Sequence, residues 1–175
     1  AMQVARQLAI EYREGFFKNR YVGRTFIMPG QQKRKQSVRQ KLNAMSTEFK
    51  NKNVLIVDDS IVRGTTSQQI VQMAKDAGAN KVFFTSAAPP VRFPHVYGIN
   101  MPTRKELIAH NRSISQIAER LEIDNLFYQS VENLKKSIID GSSVEDLDMC
   151  CFTGSYVTGN INEEYLDWIE MEYKS

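Results

Sequence analysis

The residue types that could do chemistry together stand in one run: Val54-Leu55-Ile56-Val57-Asp58-Asp59-Ser60-Ile61-Val62-Arg63-Gly64-Thr65-Thr66. Four apolar residues read as a buried parallel strand. Asp58 and Asp59 follow where that strand emerges, at the carboxyl edge where open α/β sheets bind ligands. Ser60 to Thr66 supply small residues, hydroxyls and backbone N–H groups, then open a helix. Free N–H groups and the helix dipole favour an anion there, phosphate above all. Paired carboxylates accept hydrogen bonds from vicinal hydroxyls, so carboxylates and cradle together suit a sugar phosphate. The loop is no Walker A, because Gly64 is followed by Thr-Thr and not by Lys-Ser/Thr. An Asp-Asp pair alone can equally end a strand in a turn before a capped helix; it is the whole thirteen-residue string that favours a ligand site.

For that run to act, neighbouring elements must hold it. Thr66 and Gln69 fit a capping box, Ile70, Met73, Ala74 and Ala77 mark one helix face, and Gly78 ends the helix. Lys81-Val82-Phe83-Phe84-Thr85 reads as the next strand. Residues 54–85 are therefore one strand–helix–strand unit, which predicts a parallel sheet and an α/β fold. Upstream, Ala1 to Ile10 reads as a helix with Val4, Ala5 and Leu8 on one stripe, and Gly15-Phe16-Phe17 as a short strand. Downstream, Pro89-Pro90 to Pro94 is a rigid loop, and Thr103 to Ala109 and Ser115 to Leu121 read as helical. Leu126-Phe127-Tyr128 is a strand, Val131 to Ile139 a helix, and Gly141 to Asp148 a polar connection. The helix expected over Glu163 to Tyr173 buries Leu166, Ile169 and Trp168.

The 175 residues, 42% hydrophobic and 25% charged, are expected to form one domain over 1–175 with a real core. No apolar run is long enough for a membrane helix, and no secretory leader is evident. Cys150 and Cys151 are neighbours and cannot staple a fold, which points to a reducing cytoplasm. His95 and His110 leave little room for a zinc site. Charge is uneven: Gly15 to Thr47 holds eight basic residues and no acidic one, while the rest holds 15 basic and 20 acidic. That basic stretch is either a solvated face or a segment that meets phosphate; the acidic remainder argues against nucleic acid. Within it, Lys18 to Leu42 shows no sustained period and contains Pro29-Gly30 and Lys33-Arg34-Lys35, a composition of a disordered loop or a lid.

The string Val54 to Thr66 resembles the phosphoribosyl-pyrophosphate (PRPP) motif of type I phosphoribosyltransferases. Lys18-Asn19-Arg20-Tyr21-Val22-Gly23-Arg24-Thr25-Phe26-Ile27, Ser86-Ala87-Ala88-Pro89-Pro90, Tyr97-Gly98-Ile99-Asn100-Met101-Pro102 and Glu106-Leu107-Ile108-Ala109 narrow the resemblance to the glutamine phosphoribosylpyrophosphate amidotransferases. It runs from Tyr12 to about Leu166. It implies the type I phosphoribosyltransferase fold, a mainly parallel sheet flanked by helices with a flexible active-site loop. It also implies the family's reaction: ammonia derived from glutamine attacks the anomeric carbon of Mg-PRPP, pyrophosphate leaves, and phosphoribosylamine forms, the first committed step of purine synthesis. Asp58 and Asp59 match the carboxylates that hold the ribose hydroxyls and magnesium. Ser60, Ile61, Val62, Arg63, Gly64, Thr65 and Thr66 match the 5′-phosphate loop, with Thr65 and Thr66 as hydroxyl donors. Residues 18–42 match the loop that closes over PRPP and completes an ammonia passage. There Lys18, Arg20, Arg24 and Lys41 would meet the polyphosphate, and Tyr21 and Ile27 would line the passage.

The family's N-terminal glutaminase domain and pyrophosphate loop have no counterpart in this sequence. The resemblance therefore implies the C-terminal phosphoribosyltransferase part, cut within that domain and expected to be inactive alone. It further implies purine nucleotides as feedback inhibitors, a homo-oligomer at full length, a cytoplasmic setting and no membrane partner. One branch of the family binds an iron–sulfur cluster through a cysteine in the Pro-Pro loop region and a Cys-x-x-Cys pair before Phe-Thr-Gly. Here the first position is His95, Asp148 and Cys151 match the pair, and Cys150 is out of register, so no cluster is expected. The competing readings are another type I phosphoribosyltransferase acting on a nucleobase, and a non-catalytic PRPP- or nucleotide-binding regulatory module.

Overall fold

β-Branched and aromatic residues concentrate in three short runs, and each is a strand. A computed structural model of the chain describes residues 1–18, 42–98 and 103–172. Its helices are α1 (Met2–Gln7), α2 (Ser46–Phe49), α3 (Thr65–Asp76), α4 (Ile114–Leu121), α5 (Val131–Ile139), α6 (Cys150–Thr153) and α7 (Glu163–Glu172). Its strands are β1 (Phe16–Lys18), β2 (Leu42–Ala44), β3 (Asn53–Asp58), β4 (Lys81–Ser86) and β5 (Asn125–Tyr128), with a 3₁₀ turn at Arg104–Glu106. β3, β4 and β5 form a parallel sheet in that order, flanked by helices, so the expected α/β class is what folds. Central β4 buries Val82, Phe84 and Ser86 on alternate positions, as a pleated strand must. β3 lies at the edge of the described sheet, and its apolar run is half-buried where full burial was expected. Among the described residues no helix is long and apolar enough to cross a membrane.

The chain divides into two compact units, one of Ala1–Asp58, Gly64–Thr85 and Ala118–Leu126, the other of Asp59–Arg63, Ser86–Ile117 and Phe127–Ser175. In the first, β1 and β2 pair antiparallel, with Phe16 opposite Ala44 and Lys18 opposite Leu42. β2 closes a stretch without sequence period; its pairing with β1 supplies the order that pattern alone does not show. The Phe16 and Phe49 rings pack 4.9 Å apart, and Gly15 lies against the second ring so closely that a Cβ would sit 2.6 Å from Phe49 Cζ. α3 turns Ser67, Val71 and Ala74 inward, near the expected face. Its N-cap, however, is Gly64, with φ 76° and no side-chain cap bond. The Thr66–Gln69 capping box therefore does not form: the left-handed glycine starts the helix two residues earlier, and Thr66 is already inside the first turn. In α1 only Ala5 is buried, and Leu8, which caps its C-terminal end, is exposed.

In the second unit the core is built on Ile61, Val91, Leu107, Ile108, Ala109 and Ile117, with a second cluster of Cys150, Tyr156 and Leu166. The helix expected over 103–109 is only the 3₁₀ turn, after which Leu107 is extended at φ −73°, ψ 121°. The reason is tertiary: the Ile108 N–H donates to Val62 O at 2.9 Å, not to a carbonyl one turn back. Arg92 Nη1 donates to Ala109 O at 2.8 Å and Arg112 O at 3.0 Å, tying this strip down from the other side. In α7, Leu166 is buried as expected, Ile169 is half-buried, and Trp168 is 55% exposed rather than buried. Arg104 sets the face that turns in. Its main-chain N–H and Nε both donate to Glu170 Oε1, at 3.1 and 2.9 Å, and its Nη groups reach Glu163 and Asp167. Residues 163, 167 and 170 share one helix face, so a single guanidinium fixes the rotation of α7.

Two outcomes follow. Arg104 and Glu170 are both 8% exposed, and removing one member of a buried pair strands the other's charge. Arg104→Met in the intact protein should cost about 3 kcal/mol of stability by chemical denaturation, and a loss below about 1 kcal/mol would contradict the clamp. The Tyr128 hydroxyl is buried with no hydrogen-bond partner among the described residues. Burial, against a smaller opposing pull from Arg92, pushes it up to about 12. The unfolded phenol ionises first, near pH 10; stability from this group is whole below pH 10 and is lost as pH rises toward 12. Tyr128→Phe should flatten the alkaline fall of the denaturation midpoint between those values without lowering stability at neutral pH.

Candidate functional site

The run 58–66 begins where β3 ends. Asp58 is the last strand residue and is half-buried; Asp59 is exposed. The Ser60 hydroxyl donates to Asp59 Oδ1 at 2.9 Å. Asp59 to Arg63 belong to the second unit, and backbone bonds hold them there: the Ala88 N–H donates to Asp59 O and the Ile108 N–H to Val62 O, both at 2.9 Å. Between those two anchors Ile61 is fully buried. Its side chain is a plug, so only its main chain remains to meet a ligand. Arg63 Nε lies 3.4 Å from Glu106 Oε1.

Gly64 is buried, and Thr65 and Thr66 are half-buried at the start of α3. The first turn of α3 carries no acidic side chain, and its N-cap residue makes no side-chain cap bond. A helix leaves its first N–H groups without intrahelical partners, and a glycine cap cannot accept from them as Ser, Thr, Asp or Asn would. Local sequence thus yields a 12-residue helix whose N-terminal donors are not covered by its own cap, which is the chemistry of a phosphate cradle.

Ser60, Val62, Arg63, Gly64, Thr65 and Thr66, with Asp58 and Asp59, therefore stand in the strand–loop–helix order expected. Arg20, Tyr21, Arg24, Ile27 and Lys41 lie outside the described residues; Lys18 is in β1, and its main chain alone is described. Two residues that support the loop were missed. Glu106 pairs with Arg63, and Arg104 locks the neighbouring turn to α7. The Glu106-Leu107-Ile108-Ala109 string was available as a signal, but reading 103–109 as a helix hid its contacts.

A second group gathers in the second unit. His95 Nε2 lies 3.4 Å from Asp148 Oδ2, and the Cys150 thiol lies 3.4 Å from the same oxygen. The Cys150 N–H donates to Asp148 Oδ1 at 2.8 Å, and chiefly for that reason Asp148 is held below the usual carboxylate range. Burial first, then Asp148, pushes the Cys150 thiol up to about 12; burial also raises Cys151. Neither thiol is an activated nucleophile.

No protein-family model matches the chain. Curated relatives do. The amidophosphoribosyltransferase of Haemophilus influenzae is 56% identical over 170 residues, covering 97% of this chain and 34% of that protein. The Escherichia coli amidophosphoribosyltransferase is 52% identical over 171 residues, with 97% and 34% covered. That of Saccharomyces cerevisiae is 51% identical over all 175 residues, 34% of its length. Among solved structures, the glutamine PRPP amidotransferase of Bacillus subtilis, complexed with ADP and GMP, matches with a TM-score of 0.75 at 44% identity, over 90% of this chain and 35% of that one. The chain spans about a third of the length of the curated relatives it matches. Identity of this order, sustained from end to end and carried on the same fold, makes the chain homologous to a stretch of about a third of these amidophosphoribosyltransferases.

Proposed function

We propose that this chain carries phosphoribosyl transfer in an amidophosphoribosyltransferase: ammonia derived from glutamine displaces pyrophosphate from C1 of PRPP and gives 5-phosphoribosylamine, a pentosyl transfer at the head of purine synthesis. The observation that carries the reading is the run 58–66, two carboxylates at a strand end followed by a loop that opens a helix under an uncapped glycine. The identity to the named relatives supports it independently.

In this reading the N–H groups of Ile61 to Thr66 and the hydroxyls of Thr65 and Thr66 hold the 5′-phosphate, which fixes the sugar relative to the carboxylates. Asp58 and Asp59 accept hydrogen bonds from the ribose hydroxyls. Their negative charge favours the cationic character that develops on the ring as the bond to pyrophosphate lengthens. A half-buried and an exposed carboxylate side by side offer hard oxygen donors of the kind Mg²⁺ takes while keeping water. The ion, when bound, supplies charge neutralisation for the leaving pyrophosphate. Lys18 to Leu42 would serve as the lid, with Lys18, Arg20, Arg24 and Lys41 toward the polyphosphate and Tyr21 and Ile27 along the ammonia passage; closure would exclude water.

The finer parts of the reading rest on the same homology. The intact protein is proposed to be a cytoplasmic homo-oligomer that supplies ammonia from a glutaminase domain and responds to purine nucleotides. The Bacillus subtilis relative was solved with two of these, ADP and GMP. The 175-residue chain alone, about a third of its relatives' length, is proposed to have negligible ammonia-dependent activity.

Asp58→Asn in the intact protein should lower turnover of PRPP with ammonia at least tenfold, about 1.4 kcal/mol of barrier, while the thermal midpoint stays near that of the parent. Ammonia is the donor in this assay, so glutamine hydrolysis does not enter the result. Turnover equal to the parent's would remove Asp58 from the site.

A further inference from the structure

His95, Asp148 and Cys150 come from two stretches more than fifty residues apart and bring three different donor atoms within 4.8 Å of one another. None belongs to the run 58–66. An imidazole nitrogen, a carboxylate oxygen and a thiol sulfur together are the donor set of borderline-soft divalent ions such as zinc. A tetrahedral ion with metal–donor bonds of about 2.0–2.3 Å holds neighbouring donors roughly 3.3–3.6 Å apart. Asp148 Oδ2 stands 3.4 Å from His95 Nε2 and 3.4 Å from Cys150 Sγ. Two edges of such a tetrahedron are therefore already at their proper length.

The surroundings hold these donors in place. The Cys150 N–H fixes Asp148 through Oδ1 and leaves Oδ2 to face the other two. His95 meets the Tyr97 ring edge-on, with centroids 5.4 Å apart. Tyr156 packs beside Cys150 with Leu166 and Ile161 and donates its hydroxyl to Pro94 O at 2.8 Å, which holds the strand of chain leading into His95. Cys150 is 1% exposed, and the His95 and Asp148 side chains are 15% and 29% exposed. Such a site is partly dry yet reachable from solvent through Asp148. Charge also balances: one thiolate and one carboxylate neutralise a dication. An iron–sulfur cluster is a different matter, because cysteine thiolates are its prevailing ligands and here one thiol stands with an imidazole and a carboxylate. The residues present suit one ion and not a cluster.

We propose that His95, Asp148 and Cys150 form a mononuclear site for a zinc-like divalent cation, structural in role, with Cys151 or water completing the tetrahedron. On binding, the Cys150 thiol proton leaves to solvent and the sulfur donates its electron pair to the ion. The His95 proton moves from Nε2 to Nδ1, freeing Nε2 as a ligand and giving up the long 3.3 Å contact from the Tyr97 N–H. No electron is transferred. The sequence alone pointed away from such a site because it has only two histidines; one histidine suffices when the fold adds a carboxylate and a thiol.

The test is Co²⁺ titration of the intact protein after its metal has been removed by chelation. The parent should develop a thiolate-to-cobalt charge-transfer band and tetrahedral visible bands that saturate at one equivalent per chain beyond any signal retained in Cys150→Ser. Zn²⁺ should then bleach them. Cys150→Ser should lose this one-equivalent signal, and His95→Asn, which keeps a polar group beside Asp148, should bind Co²⁺ at least tenfold more weakly while its circular dichroism matches the parent. Cys151→Ser should retain a charge-transfer band. Spectra identical for parent and Cys150→Ser would overturn the site, as would unaltered affinity in folded His95→Asn. Iron with acid-labile sulfide in the purified protein would also overturn it. None of these readouts depends on PRPP turnover.

Discussion

Two backbone hydrogen bonds and one buried side chain hold the segment between β3 and α3. Asp59 O takes the Ala88 N–H, Val62 O takes the Ile108 N–H, and Ile61 fills the space between as a fully buried plug. Everything proposed for the site depends on that arrangement. A loop of hydroxyl-bearing and glycine residues can point its N–H groups at one phosphate only if its own conformation is decided beforehand, because ordering it at the moment of binding would be charged against affinity. The anchors come from segments distant in sequence. The chain spends the Ile108 N–H on this purpose and forgoes a helix over 103–109, an exchange of local regularity for a fixed loop.

A second layer of support lies behind the first. Leu107 and Ile108 follow directly on the turn that carries Arg104, and Arg104 is gripped by three carboxylates of α7. Glu106, in the same turn, faces Arg63. The end of the chain is thereby linked through one short strip to the loop that is proposed to hold the 5′-phosphate. This explains why a buried arginine, costly to desolvate, is present at all: it orients α7 and steadies the strip in one interaction.

Much of this was legible in advance, and the exceptions have physical reasons. The Val54–Val57 run, the paired carboxylates and the loop into α3 could be read because they are contiguous and each has a local cause: hydrophobic burial, a strand edge, a helix N-terminus. The capping box at Thr66 and Gln69 failed because a glycine at φ 76° can start a helix with no side-chain signal. β2 was invisible because three residues hold too little pattern without the partner strand. Trp168 lies exposed because the rotation of α7 is set by charge, through Glu163, Asp167 and Glu170 meeting Arg104. The resemblance had already set His95 and Asp148 at positions that share one site in a branch of the family, but it read Cys150 as out of register; that Cys150 and not Cys151 turns its thiol to Asp148 appears only once the fold has closed. The residue-by-residue roles in the loop came from family resemblance, and the homology to amidophosphoribosyltransferases now gives that resemblance a basis along the whole chain.

The central claim is that the main chain from Ile61 to Thr66 is a preformed phosphate cradle. Hydrogen–deuterium exchange of the intact protein, with and without ribose 5-phosphate, addresses it without requiring turnover. The account predicts slower exchange confined to the amides of Ile61 to Ser67, with the strip 104–109 already protected in the free protein and unchanged on binding. Protection absent from 61–67, or appearing first in 104–109, would contradict it, because the phosphate would then be held elsewhere or the cradle would form only when the ligand arrives.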